Sequence, residues 1–217
     1  EDNPTFAIYK NFVHQFGVDG TTMVVGFQTN NLYTTQHFNA LADLQKSIKT
    51  IPGVTEVLGV PSAYAINKDT VALKFKGASI FHAPYSSDSA LQADKLVFES
   101  LPFYKHLLYN PDSSSYIMAI SFIPDSINSG ARSSIIKSLE NKLAIFKTST
   151  QLDLHVSGLP YIRTIMADRI KKEMLWFLIG SLVLSAITLL LFFRSIPAML
   201  MSLTVVAMGV ISVSYTH

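Results

Sequence analysis

The residue types that most often carry out chemistry are sparse in this chain of 217 residues and form no recognisable motif. Cysteine is absent, which excludes disulfides, thiol catalysis and cysteine-bound metals. A P-loop and a Gly-x-Ser-x-Gly elbow are also missing. The six histidines are scattered and give no HExxH pair or other metal-ligand spacing: His14, His37, His82, His106, His155 and His217. The sequence therefore predicts no catalytic, metal or cofactor site, and no enzyme.

Three carboxylates, those of Asp88, Asp94 and Glu99, lie near one another in the sequence. Paired carboxylates can act as general acid and base. These three fall in or beside one predicted helix, at spacings that match no catalytic arrangement. We expect them to be ordinary solvated charges.

Two uncharged apolar runs stand back to back near the C-terminus. Residues 174–193 and 196–215 are each 20 residues long, and only Arg194 and Ser195 separate them. At about 1.5 Å per residue, such a run spans a hydrocarbon layer of about 30 Å. The pattern predicts a transmembrane helical hairpin, with a connecting helix over 161–193 that continues into the first span.

Small residues recur at helical spacing along both predicted spans. Ser181, Ser185 and Thr188 do so in the first span, and Ser202 and Gly209 in the second. Small side chains let helix backbones approach closely in lipid, so we predict that these five residues pack helices together. Lining a path for cargo is the alternative.

The sequence before the first span, residues 1–173, predicts a folded domain whose positive and negative charges nearly balance. Residues 1–173 hold 16 of the 17 Lys and Arg and all 15 Asp and Glu. A chain of this length can bury a core of its own. Its near-neutral charge argues against a nucleic-acid partner.

Two similar β-α-β patterns occur in this domain. The first has strands at 21–29 and 54–60 around a helix at 34–51, and the second has strands at 115–123 and 152–156 around another helix. Apolar residues mark one face of each helix: Phe38, Leu41, Ile48 and Ile51 in the first, and Ile135, Ile136, Leu139, Leu143 and Phe146 in the second. Two such units predict an α+β fold, a ferredoxin-like split βαβ sheet within residues 1–160, with both helices on one face.

An insertion of about residues 62–112 separates the two units. Ser89 and Gln92 have the spacing of a capping box, which predicts a helix over 89–101. Its expected apolar face consists of Leu91, Val97, Phe98 and Leu101. A turn is predicted at residues 109–113, and a short strand or a linker is predicted at residues 70–75.

The joint between domain and membrane is the sequence Gly158-Leu159-Pro160. Glycine adopts backbone angles closed to other residues and proline fixes its own, so Gly158 and Pro160 are candidate hinge or coupling residues. We expect Gly158→Val to impair function while leaving the abundance of the protein near normal.

The arrangement resembles the RND superfamily, and most closely its lipid-exporting branch of MMPL and hopanoid-transporter proteins, with Patched more distant. The resemblance covers nearly the whole chain. It rests on these short motifs: Gly158-Leu159-Pro160, Phe193-Arg194-Ser195, Pro52-Gly53-Val54 with Val57, and Pro102-Phe103-Tyr104 followed by Asn110-Pro111-Asp112.

This resemblance implies a proton-motive-force-driven exporter of lipids or other hydrophobic molecules in a bacterial inner membrane. Residues 1–160 would be its first porter domain, periplasmic and part of the cargo path, and the hairpin would be transmembrane helices 2 and 3. We therefore expect a fragment of a longer, multi-pass protein. Its implied partners are the lipid bilayer, the cargo, the remaining helices and a second porter domain, and a homo-oligomer is compatible with it.

Charge by itself indicates the opposite orientation, since Arg163, Arg169, Lys171 and Lys172 lie on the domain side of the first span. The resemblance implies the periplasmic placement despite this, because large domains translocate with little regard to charge. Two other classes remain open. One is the extracytoplasmic domain of an ABC-type or cell-division permease subunit, and the other is a membrane-bound sensor module.

Overall fold

The computed structural model describes residues 8, 10–12, 20–69, 74–194 and 196–216. It divides into two compact units, Glu1–Thr164 and Ile165–His217. His14, His217, Ser195 and most of the predicted strand or linker at 70–75 lie outside the described residues.

The first unit is built on an antiparallel sheet. Its strand order is β2-β6-β1-β7, with β5 also beside β6, and a separate hairpin pairs β3 with β4. The strands are β1 (Thr22–Gln28), β2 (Val54–Leu58), β3 (Tyr64–Asp69), β4 (Lys74–Ser79), β5 (Tyr109–Asn110), β6 (Ser115–Phe122) and β7 (Leu154–Ser157).

Helices connect and cover these strands. They are α1 (Thr35–Lys49), α2 (Asp88–Glu99), α3 (Pro124–Asn128), α4 (Arg132–Thr150), α5 (Leu159–Phe193) and α6 (Ile196–Thr216). α1 connects β1 to the parallel β2, and α4 lies between β6 and the parallel β7, while β1 and β6 are antiparallel. α1 and α4 therefore run in opposite directions. The predicted α+β class is confirmed.

The core lies between the sheet and these two helices. Alternate residues of β1 are buried and face buried partners on β6, with Met23 opposite Ile120 and Val25 opposite Met118. This alternation follows from the two-residue period of a strand. The apolar faces predicted for α1 and α4 are confirmed, because all nine of their predicted core residues are at most 6% exposed: Phe38, Leu41, Ile48, Ile51, Ile135, Ile136, Leu139, Leu143 and Phe146.

The insertion differs from its prediction at the start of α2. Ser87 is the N-cap residue, and the helix begins at Asp88, before the predicted cap Ser89. Gln92 makes no capping box, because its amide donates instead to the backbone carbonyl of Tyr33 at 3.0 Å. Val97 was also assigned to the wrong face and is half exposed, while Leu91 and Phe98 are buried.

The β3–β4 hairpin was not predicted. The Tyr104 hydroxyl holds it in place, since it accepts from the Tyr64 amide at 3.0 Å and donates to the Tyr64 carbonyl at 2.7 Å. The predicted turn at 109–113 begins with β5 and then reverses the chain into β6. Within the predicted segment 70–75, Lys74 and Phe75 begin β4.

Two of the three carboxylates accept hydrogen bonds from other parts of the domain, which the sequence did not predict, while Asp88 and Glu99 are exposed as expected. Asp88 accepts a hydrogen bond from the Thr35 amide at the start of α1, at 2.7 Å. Asp94 accepts one from the Tyr85 hydroxyl. Burial raises the pKa of Tyr85 to about 12, and the hydrogen bond to Asp94 adds to the shift. The backbone of Tyr85 is in turn fixed by two hydrogen bonds of 2.8 Å to Asn39. These contacts attach the insertion to α1.

Replacing Asp88 with alanine should lower the free energy of unfolding by about 1 kcal/mol. The carboxylate both caps a free amide of α1 and places negative charge at the positive end of that helix. Asp112→Ala is the matched control, because Asp112 is an exposed acid in the β5–β6 turn. The measurement is chemical denaturation of the detergent-solubilised chain, monitored by near-ultraviolet circular dichroism. Equal midpoints for the two variants would show that Asp88 does not stabilise α1.

The second unit contains most of α5 and all of α6. Within the part of the chain that the structure describes, one helix, Leu159–Phe192, is long and apolar enough to cross a membrane. α6 is helical over Ile196–Thr216. The second span of the predicted hairpin stays a prediction.

Candidate functional site

The turn from β7 into α5 is built around Gly158. Its φ angle is +129°, and a Cβ atom at this position would stand 2.7 Å from the Thr22 carbonyl oxygen and 2.8 Å from the Met23 Cα. Residues with side chains rarely adopt this φ angle, and neither neighbour is a movable side-chain end. Only glycine fits where the chain turns against β1.

The first turn of α5 is packed into the domain. The Gly158 carbonyl accepts the first helical hydrogen bond, from the Ile162 amide at 3.0 Å. Pro160 is buried in this turn, where backbone amides have no helical partner and its missing N–H costs nothing. Thr164 is 3% exposed, and its hydroxyl donates to the Pro160 carbonyl at 2.8 Å.

Side chains of the same turn contact two other elements. Leu159 packs so closely on Gly20 that a Cβ there would lie 2.8 Å from the Leu159 Cδ1. Burial raises the pKa of the Tyr161 hydroxyl, and the negative charge of the nearby Glu140 on α4 adds to the shift. No sequence signal indicates this proximity, since the two residues belong to separate elements and neither forms part of a motif.

These surroundings correct one expectation about Gly158. The sequence suggested that Gly158→Val would leave abundance near normal. The close approach of Thr22 and Met23 makes that wrong, because any side chain at Gly158 collides with the β1 backbone. The coupling role of Gly158 and Pro160 stays a prediction.

The predicted helix-packing residues lie on the surfaces of α5 and α6. Ser181, Ser185 and Thr188 are exposed, and the Thr188 hydroxyl donates to the Leu184 carbonyl of its own helix at 2.9 Å. On α6, Ser202 is half-buried and Gly209 is exposed.

A shallow depression of about 360 Å³ on α5 includes two of these serines. Its lining residues are Phe177, Gly180, Ser181, Leu184 and Ser185. That these small residues pack helices together stays a prediction, and lining a path for cargo stays its alternative.

The described histidines and carboxylates do not converge on a metal site. Among them, no three His, Asp or Glu side chains are placed to hold an ion. His37 shares a hydrogen bond of 2.9 Å with the Thr34 hydroxyl, and His82 lies 3.8 Å from the Asp94 carboxylate. The expectation that the chain is not an enzyme stays a prediction.

Fold and joint together define a class of protein: a mixed α+β domain whose last strand leads, through a fixed turn, into a helix long enough to cross a membrane. A sequence profile of the MMPL family matches residues 6–215, nearly the whole chain. The chain belongs to the MMPL family, and this membership implies a membrane transport protein of the RND type. No curated protein matches the chain.

Proposed function

We propose that the chain is part of a proton-driven RND exporter of lipids or other hydrophobic molecules. The observation that carries the proposal is the family match over residues 6–215. The permease and sensor alternatives have no comparable observation in their favour. The hopanoid-transporter-like branch, with Patched more distant, is the part of the superfamily that the sequence motifs favour.

The proposed ectodomain is residues 1–160, a ferredoxin-like split βαβ domain with the insertion at about 62–112. The strand order β2-β6-β1-β7, with α1 and α4 over one face, supports this assignment. The proposed hairpin joins the first span, at the end of 161–193, to the second at 196–215. Neither span contains a charged residue, and Arg194 lies between them.

We place the ectodomain in the periplasm, as part of the cargo path of a multi-pass protein of the bacterial inner membrane. Its proposed partners are the bilayer, the cargo, further transmembrane helices and a second porter domain. Proton coupling needs an ionisable group within the membrane, where such residues are costly and usually functional. Residues 174–193 and 196–215 contain none, so in this proposal other helices of the full-length protein supply it.

The joint at Gly158 is proposed to transmit motion of the ectodomain to α5. The packing of Gly158 on β1 and the proximity of Tyr161 to Glu140 support rigid coupling rather than a loose hinge. Removing the Tyr161 hydroxyl should weaken this coupling without the collision that any Gly158 variant introduces.

Tyr161→Phe in the full-length protein should therefore reduce lipid export by roughly twofold to tenfold at near-normal abundance, because it removes the polar hydroxyl near the Glu140 carboxylate, and a polar interaction of this kind contributes about 0.5–1.5 kcal/mol. Glu140→Gln should have a similar effect. Tyr64→Phe is the matched control, since Tyr64 is half exposed. Export of a fluorescent lipid from cells or vesicles, normalised to protein abundance, is the measurement. Unchanged export in both joint variants would exclude a coupling role.

A further inference from the structure

The insertion, at about residues 62–112, carries most of the exposed apolar side chains of the first unit. Among the described residues from 20 to 157, ten large apolar side chains are exposed, and seven of these belong to the insertion. Ile66 and Phe75 on the β3–β4 hairpin are 64% and 75% exposed, and Leu96 on α2 is 69% exposed. Exposed apolar side chains that cluster in one region are typical of an interaction surface, whereas scattered ones are not.

The β3–β4 hairpin presents its exposed apolar side chains on one face. Ile66 pairs with Gly77, and the residues two positions away along each strand, Tyr64 and Phe75, share that side. An isolated two-stranded hairpin is only marginally stable in water, and a partner that covers its apolar face stabilises it. In the part of the chain that the structure describes, no element covers these three side chains, since Tyr64 is also half exposed.

α2 lies beside the hairpin within the insertion. The Tyr104 hydroxyl bonds to the backbone of Tyr64 at the base of the hairpin, and the Tyr104 ring stacks on Phe98 of α2, with 5.2 Å between the ring centroids. Phe103 comes directly before this tyrosine and is 72% exposed. An exposed aromatic ring therefore marks the junction between the hairpin and α2.

The hairpin and α2 carry opposite charges. Residues 64–79 hold three lysines and one aspartate, a net charge of +2, whereas α2 holds three acids and one lysine, a net charge of −2. Lys95 and Glu99 of α2 form an ion pair at 3.7 Å. The other two acids, Asp88 and Asp94, accept hydrogen bonds from uncharged groups, which do not cancel their charge. A basic and an acidic surface thus stand side by side on one insertion.

A second copy of the chain is the partner that fits both the charge and the area of this surface. A two-fold rotation sets the hairpin of each copy on α2 of the other, so that opposite charges meet twice. Pairing hairpin with hairpin would instead bring lysines together, which is destabilising. A standard dimer interface buries about 800 Å² on each partner, and seven exposed apolar side chains at roughly 100 Å² each supply most of that area.

We propose that the insertion forms an interface between two copies of this chain, with the hairpin of each copy packed on α2 of the other. The two Phe103 side chains lie near the two-fold axis, because each marks the junction between the two surfaces that the rotation exchanges. This pairing does not depend on the proposed transport function. It can be measured without transport.

The first experiment measures the protein mass of the whole chain in detergent as a function of concentration, by sedimentation equilibrium at a solvent density that matches the detergent. The expected result is a reversible doubling of mass with a Kd in the micromolar range or below, as is usual for interfaces of this size. Leu96→Lys should raise this Kd by at least about tenfold, because it removes an apolar contact and brings a cation toward the basic hairpin. Ile145→Lys is the matched control, since Ile145 is 70% exposed on α4, outside the insertion, and should leave the Kd within about twofold.

The second experiment tests the position of the two-fold axis by disulfide cross-linking. Because the chain contains no cysteine, Phe103→Cys introduces a single thiol per copy. Oxidation should link two copies of this variant into a covalent dimer on a non-reducing gel. Ile145→Cys places an equally exposed thiol outside the insertion and should remain a single copy.

Three results would overturn the proposal. The first is a single-copy mass even at about 100 µM protein, which would assign the surface to another domain or to the bilayer. The second is a dimer whose Kd responds equally to Leu96→Lys and Ile145→Lys, with near-ultraviolet circular dichroism showing that both variants are folded, because the dimer then forms through another surface. The third is cross-linking of Ile145→Cys without cross-linking of Phe103→Cys.

Discussion

Gly158→Val is expected to destabilise the first unit by about 2–6 kcal/mol and to lower the abundance of the protein sharply. A φ angle of +129° is strained for any residue with a side chain, and such strain costs of order 1–3 kcal/mol. The added Cβ would also meet the Thr22 carbonyl and the Met23 Cα, and overpacking of this kind typically costs another 1–3 kcal/mol. The β1 backbone cannot move aside without disturbing its pairing with β6 and β7.

Gly130→Val is the matched control for this prediction. Gly130 lies in the turn before α4, and no atom stands within 4 Å of the position its Cβ would take. Valine there should change the free energy of unfolding by less than about 1 kcal/mol. Gly158→Ala should retain most of the penalty, because the collision begins at Cβ. Equal denaturant midpoints for the Gly158 and Gly130 variants would show that the close packing at Gly158 does not contribute to the free energy of unfolding.

The parts of the fold that were predictable from sequence are those set by local periodicity. The spacing of Phe38, Leu41 and Ile48 identified the buried face of α1, and the same rule identified the buried face of α4. β1 and β6 were recognisable because their residues favour strands and alternate between the core and the opposite face of the sheet. In these elements the local pattern and the tertiary fold agree.

The insertion was less predictable because long-range contacts override its local signals. Gln92 has the spacing for a capping box, yet the Tyr33 carbonyl, 59 residues earlier in the chain, takes its amide hydrogen bond. The attachment of β3 likewise depends on the Tyr104 hydroxyl, 40 residues from Tyr64. Periodicity within one segment contains no information about such partners.

The candidate joint was found in part. A glycine two residues before a proline, ahead of an apolar run, drew attention to Gly158 and Pro160. The reason glycine is required is the approach of Thr22 and Met23 from a strand more than 130 residues earlier. The proximity of Tyr161 and Glu140 is likewise not predictable from sequence, since each side chain by itself resembles an ordinary surface residue.

The largest functional effect is expected from removing the proton gradient. An RND-type exporter driven by protons should stop when the gradient collapses, because export against a concentration difference then has no source of free energy. ATP should make no difference. A permease that depends on an ATPase subunit would show the opposite dependence, so this comparison separates the proposed function from its principal alternative.

The most direct test is transfer of a fluorescent lipid by the full-length protein, reconstituted in proteoliposomes with an imposed pH gradient. We expect transfer that requires the protein, falls to the level of empty liposomes when a protonophore is added, and does not respond to ATP. Protein-free liposomes with the same gradient are the control. Transfer no faster than in that control, or transfer that depends on ATP and ignores the protonophore, would contradict the proposal that this chain belongs to a proton-driven exporter of hydrophobic molecules.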